Sequence, residues 1–206
     1  MKVIIIAAGS STRLAKETSD IPKGLLKIND MSIIEIQLEL FQKNQLSDIT
    51  IITGPNKQKF ELKNVNYIQD NEFQNHDVLG SLMVAKSIIN DDVLTLYSDI
   101  IFEEKILRKL INSEDDFSVI IDKNWKDYWG MRFDEPINDA ESLSVDDNGY
   151  ITSIGKKVKD VSEIHGQYIG LMKFQNGAIN TMKSFYEKCV RIFENSKINP
   201  LNPKIS

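Results

Sequence analysis

The residues best suited to chemistry come early, at positions 7–14: Ala7-Ala8-Gly9-Ser10-Ser11-Thr12-Arg13-Leu14. Small residues directly after an apolar run let backbone N–H groups approach an anion, because no side chain intervenes. Arg13 adds a planar fork that grips phosphate oxygens, and Lys23, after Pro22, adds a point charge. Spacing alone leaves a second reading open: an ordinary strand-to-helix connection with a surface Arg and Lys. The stretch has no Gly-Lys-Ser/Thr and no second or third glycine, so it is neither a P-loop nor a dinucleotide fingerprint.

Other candidates follow down the chain. Asp99 closes an apolar run in Tyr97-Ser98-Asp99. A carboxylate there suits Mg²⁺, which takes one or two carboxylates plus phosphate oxygens, or it caps the next helix. Gly80 and Ser81 open a helical stretch, where backbone donors and a small hydroxyl can read a base edge or simply pack. Lys156 ends a hairpin and, by itself, is a solvated lysine. Trp125, Tyr128 and Trp129 cluster beside Asp122 and Asp127. That composition suits either an amine-binding cage or a hydrophobic seam. His76 and His165 stand alone in polar segments and read as surface residues. Cys189 lies on the apolar side of a helical stretch and reads as core.

The elements that must position these groups alternate. Residues 3–6 form a continuous β-branched run, as in a strand buried on both faces. Ser32-Ile33-Ile34-Glu35 is a capping box, opening a helix with Ile33, Ile34, Leu38, Leu40 and Phe41 on its apolar side. Strands are expected at 49–53, 65–68, 93–97 and 117–121, and helices at 56–63, 78–89 and 103–111. This alternation implies a parallel α/β sheet, with every strand C-terminus on one ligand-binding edge. After Lys123 the pattern changes. Asp146-Asp147-Asn148-Gly149 is a hairpin turn between 142–145 and 150–154, followed by a strand at 167–174 and an amphipathic helix at 180–193.

Composition narrows the function classes. The chain has 206 residues, 41% of them apolar, which suits one packed domain. A net charge of −5 argues against a nucleic-acid partner. The single cysteine excludes a disulfide framework and fits a reducing, cytoplasmic setting. No run approaches the ~20 apolar residues of a membrane span, so no membrane partner is expected.

The motif Ile-Ile-Ala-Ala-Gly-x-x-Thr-Arg-Leu, followed by Pro-Lys-x-Leu-Leu-x-Ile, resembles the signature of the sugar-phosphate nucleotidylyltransferase superfamily. Ser11 stands where that family usually has glycine. The resemblance implies a three-layer, Rossmann-like (GT-A-type), mainly parallel sheet flanked by helices, with a β-hairpin acceptor-binding subregion, and within the one domain a nucleotide-binding half, 1–122, and an acceptor-binding half, 123–206. It implies that Ala8, Gly9, Ser10, Ser11, Thr12, Arg13 and Lys23 cradle a nucleoside triphosphate, that 75–81, including Gly80 and Ser81, read the base, that Asp99 holds Mg²⁺, and that Lys156 holds the acceptor phosphate. With Trp125, Tyr128 and Arg132, the chain looks like the cytidylyltransferases that activate phosphocholine, aminoethylphosphonate or related compounds. The partners then expected are CTP and a small phosphorylated acceptor. Such enzymes usually run some tens of residues further and carry a second metal-binding aspartate there, so the chain is expected to be C-terminally incomplete. The alternatives are a sugar-1-phosphate uridylyl- or thymidylyltransferase, a glycosyltransferase of similar fold, and a non-catalytic nucleotide-binding regulatory subunit.

Overall fold

The computed structural model describes residues 1–9, 21–90, 92–132, 137, 140–156 and 160–196, with the backbone alone at 132 and 193–196. The elements begin with β1 (Lys2–Ala7), β2 (Lys27–Ile28), β3 (Met31–Ser32), α1 (Ile33–Lys43), β4 (Ile49–Thr53) and β5 (Asn66–Gln69). Next come α2 (Val78–Met83), β6 (Val93–Tyr97), α3 (Glu104–Ile111), β7 (Phe117–Asp122) and α4 (Trp125–Arg132). The chain continues with β8 (Leu143–Val145), β9 (Ile151–Ile154), β10 (Gln167–Phe174) and α5 (Ala178–Ser196). They fall into two compact units, residues 1–118 with 172–206, and residues 119–171.

The fold is α/β with a mainly parallel sheet, as the alternation of elements implies. The main sheet has the order β5-β4-β1-β6-β10-β7. β1 pairs in parallel with β4 on one side, Val3 opposite Ile49, and with β6 on the other, Val3 opposite Leu94. β5 extends the β4 side in parallel. The first crossovers therefore move outward from β1 to β4 and β5, and the next returns to β6 on β1's far side. That reversal is a topological switch point, the place beyond the strand C-termini where open α/β sheets bind ligands.

β1 is closed to water on both faces: Val3, Ile4 and Ile5 are all fully buried. Ile4, Ile6 and Ala8 join a cluster with Ile52, Leu82, Met83 and Ile179, which seats α2 and the start of α5 against that face. α1 buries Ile33, Ile34, Gln37 and Phe41. Leu38 and Leu40, expected on its apolar side, are only half-buried, and Gln37 takes the place in the core.

Two helices are shorter than their sequences suggest. The stretch 78–89 is α-helical only to Met83. Beyond it, N–H groups of Val84, Ala85, Lys86 and Ile88 reach back three residues, at 3.0–3.2 Å. Ala85 and Ile89 of this segment both belong to the cluster around Ile4. The stretch 56–63 yields one 3₁₀ turn, Lys57–Lys59, with no buried residue in it. Without an apolar stripe to pack, helix nucleation is not repaid.

In the second unit the hairpin forms as its turn sequence demands. β8 and β9 are antiparallel, and Gly149 takes the left-handed conformation at φ +86. The Asp146 carboxylate accepts from the N–H of Asn148 at 3.0 Å and of Tyr150 at 2.8 Å. Among the described residues no helix is long and apolar enough to cross a membrane.

The capping box of α1 is complete. The Glu35 N–H donates to Ser32 Oγ at 3.2 Å, and the Ser32 N–H donates to Glu35 Oε2 at 2.7 Å. Ser32→Ala is expected to cost about 1 kcal/mol, read as a lower urea midpoint with an unchanged slope. The bonds from Ser32 hold the Glu35 carboxyl below its usual 4.5. A lowered folded value means that this contribution is complete above the unfolded pKa and is lost as pH falls through the folded one. The stability gap between parent and variant should therefore shrink on acidification below the usual carboxylate range. A gap constant down to the acid transition would show that the box adds nothing through Glu35.

Candidate active site

The C-terminal end of β1 delivers Ala8, which is buried, and Gly9, which is exposed, with no atom of the described residues within 4 Å of where a Cβ would stand. β4 ends against this point, and a Cβ on Gly54 would collide with the Ala8 carbonyl oxygen. Glycine is required there so that the two strand ends can lie side by side. Of the expected triphosphate cradle, Ser10, Ser11, Thr12 and Arg13 lie outside the described residues.

The chain re-enters at Pro22 and forms a 3₁₀ turn, Lys23–Leu25, with the Leu25 N–H on Pro22 O at 2.8 Å. Gly24 is buried in it, and a Cβ there would lie 2.7 Å from Ile34 Cδ1 and 2.8 Å from Ser98 Cβ. The missing side chain lets the turn press against both α1 and the end of β6. Lys23 and Asp99 meet as a result: Lys23 Nζ is 3.4 Å from Asp99 Oδ2. Both side chains are about one-third exposed, 37% and 36%. An ion pair so open to solvent adds about 0–1 kcal/mol. Its significance lies in placing a cation and a carboxylate together at the switch-point edge.

Asp99 sits in the turn that follows β6. The Ser98 N–H donates to Ile6 O at 3.1 Å, continuing the β1–β6 ladder by one residue. The Gln37 amide, fully buried on α1, donates to Tyr97 O at 3.0 Å and Ile100 O at 2.8 Å. Asp99 does not cap the next helix: α3 starts at Glu104 with Glu103 as its N-cap. Among the described residues no group of three or more His, Cys, Asp or Glu gathers as a metal cage. An accessible carboxylate such as Asp99 fits a Mg²⁺ that takes its remaining ligands from phosphates and water.

A second polar network shapes the segment between β5 and α2. Asp70 is buried, and its N–H donates to Thr53 O at 2.8 Å. Its carboxylate accepts from Ser81 Oγ at 2.8 Å and from the Glu72 N–H at 3.0 Å. His76 Nδ1 lies 3.0 Å from both Asp70 oxygens, so His76 is a member of this network and not the isolated surface residue its sequence surroundings suggest. A carboxylate only accepts, so Nδ1 carries the proton of that contact. Asp77 caps α2 by accepting from the Gly80 N–H at 2.8 Å. A Cβ on Gly80 would stand 3.0 Å from the His76 ring. The Gly80 N–H and the Ser81 hydroxyl proton are thus engaged within the loop, and the Ser81 oxygen keeps acceptor capacity.

The second unit places Lys156 at the open end of the hairpin. Its backbone is fastened to Ser142: Ser142 N–H to Lys156 O at 2.8 Å, and Lys156 N–H to Ser142 Oγ at 2.9 Å. Gly155 takes the left-handed turn before it, at φ +76. The Lys156 side chain is exposed. Trp125 is buried with Ala140 and Ile164, as a seam and not a cage wall. Trp129 stands edge-on to it with centroids 6.2 Å apart, and Tyr128 edge-on to Trp129 at 5.6 Å. Tyr128 is half exposed. The Asp122 carboxylate accepts from the Asn124 N–H at 2.8 Å. His165 is tied to Val145, whose N–H lies 3.0 Å from its Nδ1.

Sequence reasoning missed Gln37 and Asp70. Each carries a faint signal, Gln37 as a polar residue inside an apolar helical stripe and Asp70 as an acid directly after a strand.

Comparison with known proteins bears on the same region. The profile of the MobA-like NTP transferase domain matches residues 3–131. The CTP:phosphoglutamine cytidylyltransferase of Campylobacter jejuni subsp. jejuni serotype O:2 is 29% identical over 200 residues, 91% of this chain and 78% of that protein. The choline-phosphate cytidylyltransferase of Streptococcus pneumoniae is 28% identical over 117 residues, 55% of this chain and 51% of that protein. Among solved structures, the inositol-1-phosphate CTP transferase from T. maritima superposes with a TM-score of 0.69 at 16% identity, over 89% of this chain and 74% of that one. The CTP:phosphocholine cytidylyltransferase from Streptococcus pneumoniae does so with a TM-score of 0.65 at 19% identity, over 92% and 77%. At these identities the structural likeness speaks for the fold. The profile match, covering more than half the chain and starting in β1, shows that the chain belongs to the MobA-like NTP transferase domain family.

Proposed function

We propose that this chain is a cytidylyltransferase that transfers CMP from CTP to a small phosphate- or phosphonate-bearing acceptor, such as phosphoglutamine, phosphocholine or aminoethylphosphonate, and releases pyrophosphate. The observation that carries the reading is the Lys23–Asp99 pair at the switch point between β1 and β6. The relatives named above support the choice of CTP over other triphosphates and of a phosphorylated acceptor.

In this reading an acceptor oxygen attacks the α-phosphorus of CTP. The bond from that phosphorus to the bridging oxygen breaks, and pyrophosphate departs with the electron pair. The attacking oxygen is already ionised at neutral pH, so no general base is needed. Catalysis then consists of holding two anions together and offsetting the charge that develops. Arg13 and Lys23 grip the triphosphate and its leaving group. Ala8, Gly9, Ser10, Ser11 and Thr12 line the cradle, the segment with Gly80 and Ser81 meets the base, and Lys156 holds the acceptor phosphate. Asp99 would hold a Mg²⁺, which would supply Lewis-acid neutralisation of the triphosphate.

A sugar-1-phosphate reading is favoured by one observation. A bifunctional sugar-1-phosphate nucleotidylyltransferase/acetyltransferase of Sulfurisphaera tokodaii is 32% identical over 144 residues, 67% of this chain and 35% of that protein. The two readings part on the triphosphate consumed. Pyrophosphate release scored over a panel of phosphorylated acceptors should occur with CTP. Turnover with UTP or dTTP but none with CTP would transfer the conclusion to the sugar-phosphate reading.

Two substitutions test the site. Arg13→Ala should lower turnover with CTP by about 10²–10³-fold while the unfolding midpoint stays at the parent value. Parent-like activity in that variant would remove the triphosphate cradle. Asp99→Asn should abolish the metal-dependent activity, and unaltered metal dependence would reduce Asp99 to a counter-ion of Lys23.

A further inference from the structure

We propose that Gln37 is the positioning residue for Asp99: it fixes the turn that carries this carboxylate and thereby sets the affinity for the divalent cation that accompanies the triphosphate. The inference rests on the reading of Asp99 as the metal carboxylate.

Gln37 is fully buried in the middle of α1, where an apolar residue would be expected. Its single amide nitrogen spends both protons on the turn after β6, at 3.0 Å to Tyr97 O and 2.8 Å to Ile100 O. Those two carbonyls bracket Ser98 and Asp99. Among the described residues no backbone N–H from a turn or loop reaches Ile100 O. The Lys23 contact cannot itself hold Asp99 in place, because both partners are a third open to water. Beside the Ser98 N–H on Ile6 O, the Gln37 bonds constrain Asp99 from beneath, through the backbone on either side of it.

The same amide carries a cost. Gln37 Oε1 is buried and has no hydrogen-bond partner among the described residues. An unpaired buried acceptor lowers stability. A residue kept only to fill the core would be leucine or methionine, which leaves no such atom. Gln37 is explained by what its nitrogen does for the Tyr97–Ile100 turn.

α1 also fixes the opposite member of the pair. Ile34, three residues before Gln37 and so on the same face, is the side chain against which Gly24 is pressed. Gly24 adjoins Lys23. One helical turn thus gauges both the lysine and the carboxylate.

The test uses the full chain with Mn²⁺ as the probe and CTP present without acceptor, so that no turnover occurs. Mn²⁺ affinity is read by electron paramagnetic resonance for the parent, Gln37→Met and Asp99→Asn. CTP affinity without metal and the unfolding midpoint are measured beside it. Gln37→Met, close in volume and lacking donors, should weaken Mn²⁺ binding by about 10–100-fold, as loss of a group supporting a metal ligand typically does. Its metal-free CTP affinity should stay within about twofold, well inside the tenfold that 1.4 kcal/mol represents. Parent-like Mn²⁺ affinity in Gln37→Met, with Asp99→Asn weakened, overturns the role of Gln37 alone. Unchanged Mn²⁺ affinity in Asp99→Asn overturns the metal reading of Asp99, and this inference with it. Equal losses of metal-free CTP affinity and Mn²⁺ affinity in Gln37→Met would make Gln37 a general support of the core and also overturn the proposal. Should Gln37→Met not fold, Gln37→Glu, which keeps the shape with at most one donor, is read by the same criteria.

Discussion

β1 has parallel neighbours on both sides, and the chain leaves it in one direction and comes back on the other. That topological constraint underlies the rest of the site. With Val3 opposite both Ile49 and Leu94, the strand can neither slip nor twist free without undoing two ladders. Its C-terminal end therefore stays fixed. The neighbouring ends are fixed to it, β4 through the close pass of Gly54 at Ala8 and β6 through the Ser98 N–H on Ile6 O. The polar residues Lys23 and Asp99 then stand beside a fixed rim. This division of labour suits a reaction whose catalysis is mainly the holding of two anions in line.

Polar groups at the rim are stabilised by what lies behind them more than by one another. The Lys23–Asp99 pair is solvent-screened and weak. Gln37 and Asp70 are both buried, and each bonds to backbone or to a neighbouring side chain. Gln37 organises the turn carrying Asp99, and Asp70 organises the approach to α2 through Ser81, His76 and Glu72. Inside the fold, where water does not compete, such bonds hold geometry better than a surface ion pair does.

β1, β4 and β6 were legible in the sequence because burial on both faces leaves an uninterrupted apolar run, and β6 falls at 93–97 as those residues imply. The capping box at Ser32 and the turn at 146–149 were legible because their chemistry is local. Residues 84–88 were not: their apolar residues continue the helical pattern, while the N–H groups of Val84, Ala85, Lys86 and Ile88 bond three residues back instead of four. Gln37, Asp70 and His76 escaped for a related reason. Each is defined by a partner at least six residues away in sequence, up to 63 for Gln37 and Ile100. In the second unit, Trp125 could be read as ligand cage or as seam from sequence, and only its burial with Ala140 and Ile164 decides for the seam.

β10 contains a lysine where strands of this kind carry apolar residues. Lys173 is fully buried, and its ammonium donates to the carbonyls of Ile111 and Ser113 at the end of α3. Burial pushes its pKa below the usual lysine value, with Asp92 and Asp115 opposing that shift. Side chains alternate along a strand, so a slip of one residue would turn this amine to the opposite face and break both of its bonds to those carbonyls. Apolar neighbours such as Leu171 and Phe174 would tolerate a shift more readily, since packing is forgiving of identity and hydrogen bonding is not. Lys173 thus works as a detent: it gives β10 one audible click among several near-equivalent settings, and it does so at the point where the chain re-enters its first unit.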